Sequence, residues 1–190
     1  MSFLVKIVAN FSRDLLKVLV SPEETFKAVK DKGLENQGLY LYIFMCAFLG
    51  FMLGGVVSAI TGVWIVFPIA FAVVVTVIAL LKLIVWAIIS HVVAVFVFKG
   101  EGSLTNTIKL MGFSAAPFIL GIFALMTLIL IGTIFTSAML FVIMYIWAII
   151  IGSTAVSIEH RIGFGRSFLS VLGVPALVII GVMMLVGVFQ

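Results

Sequence analysis

From Leu39 to Ile60 the chain runs for twenty-two residues without a charged side chain. At about 1.5 Å per helical residue such a run crosses a hydrocarbon core roughly 30 Å thick. Comparable apolar stretches follow at 68–98, 113–132, 138–157 and 168–189. Polar patches at 1–38, 99–112 and 158–167 hold every charge except Lys82. Such blockwise segregation is what alternating spans and loops produce. With 65% hydrophobic and 9% charged residues over 190 positions, a single soluble core would lack the polar surface it needs, so lipid must be the solvent. The predicted fold is all-α: a polytopic membrane helical bundle of five transmembrane helices at 39–60, 68–98, 113–132, 138–157 and 168–189. A cytoplasmic segment, 1–38, precedes the membrane domain, 39–190.

The placement of cations tests the count. With five spans and a cytoplasmic N-terminus, Lys6, Arg13, Lys17, Lys27, Lys30, Lys32, Lys99, Lys109, Arg161 and Arg166 all fall inside, and the connections at 61–67 and 133–137 carry no charge. This is the positive-inside pattern. It predicts a multi-pass cell-membrane protein with its C-terminus outside. Six spans would put Lys99 and Lys109 outside.

Residues 1–20 do not read as a signal peptide, because Lys6, Arg13, Asp14 and Lys17 interrupt the apolar run. Polar Lys6, Asn10, Arg13, Asp14 and Lys17 oppose Leu4, Val8, Phe11, Leu15 and Leu19 at helical spacing, which predicts an amphipathic helix in the headgroup plane. A second, short helix is predicted from Pro22. Ser21 and Glu24 would form its capping box, Lys27, Lys30 and Lys32 would complement its C-terminal dipole, and Gly33 would end it.

Thirty-one helical residues from Pro68 to Phe98 would measure roughly 45 Å, longer than the membrane is thick. No Gly, Pro, Asn or Asp after Pro68 offers a hairpin turn within them, so one helix protruding into the cytoplasm is expected rather than two short spans. It carries Lys82 in the inner half of the core, and an intramembrane ion is a functional candidate by default. Its plainer reading is a stem that snorkels to the headgroups, or a pairing with Glu159 or a backbone carbonyl. His91, Glu159, His160 and Arg161 lie at one depth near the cytoplasmic rim and, with Lys82, are the candidate polar cluster. Gly50 and Gly54 form a GxxxG spacing that lets another helix approach, within the protomer or in a homo-oligomer. Trp64 stands where an interfacial aromatic would, and Pro117 and Pro175 lie in the third and fifth spans.

Catalytic patterns are missing. There is no HExxH, no P-loop and no pair of intramembrane aspartates, and Gly112-Phe113-Ser114-Ala115 is only a fragment of a nucleophile motif. Ser114 reads as a capping serine before Pro117. Two histidines and one acid do not make a zinc site, and no cofactor or metal is expected. Basic residues are interleaved with acids, which argues against nucleic acid and for a membrane surface. The single cysteine, Cys46, sits in an apolar run and reads as a small buried hydrophobe.

Three segments together resemble prokaryotic members of the Yip family of Ypt/Rab-interacting membrane proteins. One is Ser21-Pro22-Glu23-Glu24-Thr25-Phe26. The second is Trp86 to His91 with Lys99-Gly100-Glu101-Gly102-Ser103 and Phe113-Ser114-Ala115-Ala116-Pro117. The third is Trp147 to Gly152 with His160 and the loop around Arg166. The resemblance implies five spans and a cytoplasmic N-terminus. Eukaryotic members are linked to Rab GTPases, vesicle trafficking and organelle shape, and carry a longer cytosolic N-terminal region than the thirty-eight residues here. It transfers no catalytic residue. The expected function is a non-enzymatic scaffold or adaptor that engages the bilayer and recruits a cytoplasmic protein through 1–38. The alternative is a small channel or transporter with a polar path through Lys82, His91 and Glu159.

Overall fold

In the computed structural model residues 16–62 and 66–173 are described, with the single positions Ala176, Ile180 and Met184. The amphipathic stripe up to Leu15, Trp64 and most of the stretch assigned to a fifth span, Pro175 included, lie outside the described residues. Every described element is helical. Residues 16–20 are helical, followed by α1 (Pro22–Asp31), α2 (Asn36–Thr61), α3 (Val66–Val92), α4 (Leu104–Met111), α5 (Phe118–Ile131), α6 (Ile134–His160) and the short α7 (Phe164–Phe168). A π-helical turn, Val93–Val97, extends α3, and another, Leu169–Gly173, extends α7. A 3₁₀ turn, Gly112–Ala115, joins α4 to α5.

Four helical rods among these are long and apolar enough to cross a membrane: Asn36–Thr61, Val66–Val97, Leu104–Ile131 and Ile134–His160. The second runs unbroken through Lys82. Among the described residues it is helical from Val66, ahead of the expected Pro68. The third rod starts at Leu104, nine residues before the expected 113, because α4 and the 3₁₀ turn lead directly into α5. The fourth also outruns its expected bounds, covering 134–160 rather than 138–157. Apolarity marks where lipid begins, whereas helices continue until a capping or left-handed residue stops them: Gly62 (φ 71°), Gly132 (φ 70°) and Arg161 (φ 56°) end three of these rods.

The two glycines of the GxxxG spacing face α3. A Cβ on Gly50 would lie 2.9 Å from the Cα of Ala72, and one on Gly54 would lie 2.8 Å from the Cα of Pro68. As α2 advances from 50 to 54 its neighbour retreats from 72 to 68, so the two helices are antiparallel and touch backbone to backbone. The close approach is therefore made within the protomer. Tyr42 ties the same pair together, its hydroxyl donating to the Ala79 carbonyl at 3.1 Å.

The N-terminal part packs on the bundle through side chains the stripe did not predict. Val18, off the expected apolar line, is fully buried, and Leu19 is half-buried. The α1 residues Phe26 and Val29 are buried, with Phe26 edge-on to Phe113 at 5.6 Å between ring centroids. The capping box does not form. The Ser21 N–H that Glu24 would have taken already donates to Lys17 O at 2.7 Å, because the preceding residues are helical, and the Ser21 side chain makes no cap. Instead Thr25 Oγ1 donates to Ser21 O at 2.8 Å. The helix ends at Asp31, and Gly33 (φ 62°) turns the chain away.

Candidate functional site

The loop Lys99–Ser103 closes over the end of α6, and two consecutive residues of that helix hold it. A carboxylate buried to 5% exposure, Glu159, has no place in an apolar bundle without partners. Its Oε1 accepts from the Ser103 N–H at 2.9 Å, and its Oε2 lies 2.9 Å from Lys30 Nζ on α1. The second oxygen is thus satisfied by an ion pair rather than by a well-directed hydrogen bond.

Beside it His160, 1% exposed, has both ring nitrogens engaged. Gly102 N–H donates to Nδ1 at 3.2 Å, so Nδ1 is the bare nitrogen and the proton sits on Nε2. That Nε2 lies 3.0 Å from Thr107 Oγ1 and 3.3 Å from His91 Nδ1. Thr107 spends its own proton on Ser103 O at 2.7 Å, so it accepts from His160, and His91 then carries its proton on Nε2. This tautomer assignment follows from the surrounding donors and acceptors. The backbone seals the arrangement, with Glu101 N–H donating to His160 O at 3.2 Å and Gly100 N–H to Ala94 O at 2.8 Å.

Glycine is required at both loop positions. A Cβ on Gly100 would stand 2.7 Å from His160 Cβ, and one on Gly102 would stand 2.8 Å from Glu159 Cγ. Ser103 then opens α4, its hydroxyl accepting from the Asn106 N–H at 3.2 Å. One cluster therefore locks α1, the 99–103 loop, α4 and the ends of α3 and α6.

The structure brings His91, Glu159 and His160 together and leaves Arg161 and Lys82 out of their network. Arg161 is the left-handed residue that ends α6, so its side chain leaves the helix face that 159 and 160 share. Among the described residues its one ion pair is with Glu101, at 3.8 Å, with both side chains about four-fifths exposed (79% and 78%). Lys82 precedes His91 by nine residues, or two and a half turns, which puts the two on opposite faces of α3. Its Nζ stands 6.0 Å from the Trp86 ring and 5.6 Å from the Tyr145 ring, and among the described residues it has no ion pair. Ser114 is buried in the 3₁₀ turn rather than capping a helix, and no hydrogen bond among the described residues joins it to a histidine.

Lys30, Gly102, Ser103 and Thr107 were not placed in the polar cluster from the sequence. Lys30 had a sufficient local explanation as a dipole-complementing cation, and it does lie in the last turn of α1. Ser103 offered a signal in its position just before a helix. Among the described residues no three His, Cys, Asp or Glu gather where they could bind one metal ion.

A family model described as the Yip1 domain matches residues 16–186. The chain belongs to the Yip1 family. No curated protein and no solved structure matches it. As a Yip1-domain protein with several apolar helical rods, it is a multi-pass membrane protein whose bundle is embedded in lipid.

Proposed function

We propose that this Yip1-family chain is a non-enzymatic membrane scaffold or adaptor of the cell membrane, N-terminus cytoplasmic and C-terminus outside, which holds its N-terminal segment as a fixed platform for a cytoplasmic protein. The observation that carries this reading is the Lys30–Glu159 pair at 2.9 Å, continuous through Ser103 with the His160 network. It spends a buried charge, which is costly to desolvate, on docking α1 against the charged end of the bundle. Trp147 adds a second tie, its Nε1–H donating to Leu19 O at 3.1 Å. The outer face of α1, with Glu23, Glu24 and Lys27 exposed among the described residues, is where a partner would dock. No homo-oligomer is built into this reading, since the Gly50/Gly54 face is filled by α3.

The channel or transporter reading loses its path. Lys82 is exposed at the mouth of an apolar groove on the face of α3 opposite His91, and buried Leu83 and Ala87 intervene on α3 between the two.

Affinity purification of the full chain from native membranes tests the scaffold reading. Proteins recovered with the wild type should fall several-fold with Glu159→Gln, which removes the charge that docks α1. An unchanged set of recovered proteins counts against the platform. A solute flux in reconstituted vesicles that Lys82→Met abolishes would favour the channel instead.

A further inference from the structure

Lys82 lies sixteen residues beyond Val66, about 24 Å along α3. A hydrocarbon core roughly 30 Å thick, measured from the uncharged end, therefore closes near Trp86, one turn further on. Trp86 has the character of an interfacial tryptophan, and its Nε1–H donates to Val171 O at 2.8 Å. Lys82 Nζ is held beside the Trp86 and Tyr145 rings, at the level where acyl chains give way to headgroups. An ammonium has three donors and no acceptor, and at this depth an uncompensated cation needs a counter-charge. Among the described residues no carboxylate supplies one.

Beside the ammonium a cavity of about 200 Å³ opens among α2, α3, α5 and α6, its walls including Tyr42, Phe118, Tyr145, Ala148, Ile149 and Leu172. These walls are almost wholly apolar. A single cation at the mouth of an apolar groove matches an amphiphile with an anionic head and a hydrocarbon tail. Cation–π contacts with two rings orient the cation without neutralising it.

We propose that this groove seats one anionic phospholipid from the leaflet on the charged side, with its phosphate on Lys82 Nζ and one acyl chain along Tyr42, Phe118 and Tyr145. The site stands apart from the scaffold reading, because Lys82 takes no part in docking α1.

The test uses the full chain with Trp64→Phe and Trp147→Phe, which leaves Trp86 as the sole emitter. It is placed in phosphatidylcholine bilayers doped either with acyl-brominated phosphatidylglycerol or with acyl-brominated phosphatidylcholine. The anionic lipid should quench Trp86 at about five-fold lower mole fraction than the neutral one, the preference expected of one basic residue near an anionic headgroup. Lys82→Met should abolish that preference and Lys82→Arg should keep it. Lys99→Gln, which removes an exposed cation elsewhere at the charged end, should leave it intact. Equal quenching by both lipids overturns the proposal. So does a preference that survives Lys82→Met, or one that Lys99→Gln removes as fully, since that would reflect only general attraction to the charged end.

Discussion

The two ends of this bundle are held by different physics. At the charged end, Glu159 and His160 are almost fully buried and their polar contacts reach α1, α3, α4 and the loop between the last two. At the opposite end Ile60, Val66, Leu130, Ile131, Ile134 and Phe135 are all well over half exposed, and Thr127 with Ser137 forms a lone side-chain hydrogen bond between described helices there. Lipid suits those surfaces as well as protein would, so helix contact there rests on close approach rather than on apolar burial. Directed polar contacts, by contrast, cannot be exchanged for lipid. The charged end should therefore carry most of the mutational sensitivity, and the same end carries the geometry proposed for function.

The largest expected loss is at Glu159. Glu159→Leu removes the partner of Lys30 and leaves the Ser103 N–H without its acceptor. Breaking a buried pair from one side costs roughly 3–5 kcal/mol. Lys30 keeps 29% of its side-chain surface and can recover some hydration, so about 3 kcal/mol is expected, read from denaturation in mild detergent. Lys30→Met in the same chain should restore part of it, because the orphaned cation is then gone while the Ser103 N–H is not. A loss under about 1 kcal/mol, the range of an exposed pair, would erase the contrast between the two ends.

Gly50→Ala probes the other kind of cohesion. Its new methyl would meet the Ala72 backbone at 2.9 Å, and a backbone cannot swing aside as a side chain can. About 2 kcal/mol is expected, within the range of overpacking. A cost exceeding that of Glu159→Leu would show that backbone proximity, not the polar cluster, is the stronger fastening. Thr107→Val comes next at about 1–2 kcal/mol, since His160 Nε2–H would keep only His91, at 3.3 Å, as an acceptor.

What could be read from the sequence divides along the same line. The four described rods were legible because a span is dictated by length and apolarity alone, properties local to each stretch. The Gly50/Gly54 approach was legible as a spacing but not as a partner, since only the fold shows that Ala72 and Pro68 lie opposite. The rim cluster was half legible. His91, Glu159 and His160 could be set at one depth by counting turns, and the nine-residue step already put Lys82 on another face. Nothing in the chain order, however, brings Lys30 to Glu159 across 129 positions, and Gly100 and Gly102 stood only within a segment of family resemblance, whereas in the fold they let His160 and Glu159 in close. The capping box failed for a related reason: a four-residue motif assumes a free backbone before it, and here Lys17 O already holds the Ser21 N–H.

The smallest expected effect sharpens the comparison most, because it concerns a side-chain hydrogen bond between described helices at the lipid-dominated end. Thr127 Oγ1 and Ser137 Oγ are 3.1 Å apart, but each already has a backbone acceptor: Ala124 O at 2.9 Å for Thr127 and Thr133 O at 3.0 Å for Ser137. Each hydroxyl has a single proton but can still accept, so whichever one donates between the helices gives up the bond inside its own helix. Losing it returns a proton to a partner that was already waiting. Ser137→Ala should therefore cost about 0.6 kcal/mol, the average for a hydrogen bond between membrane helices, measured in the same detergent denaturation. A cost of 2 kcal/mol or more would mean that the uncharged end is also locked by directed contacts, and the bundle would then have two fastened ends rather than one.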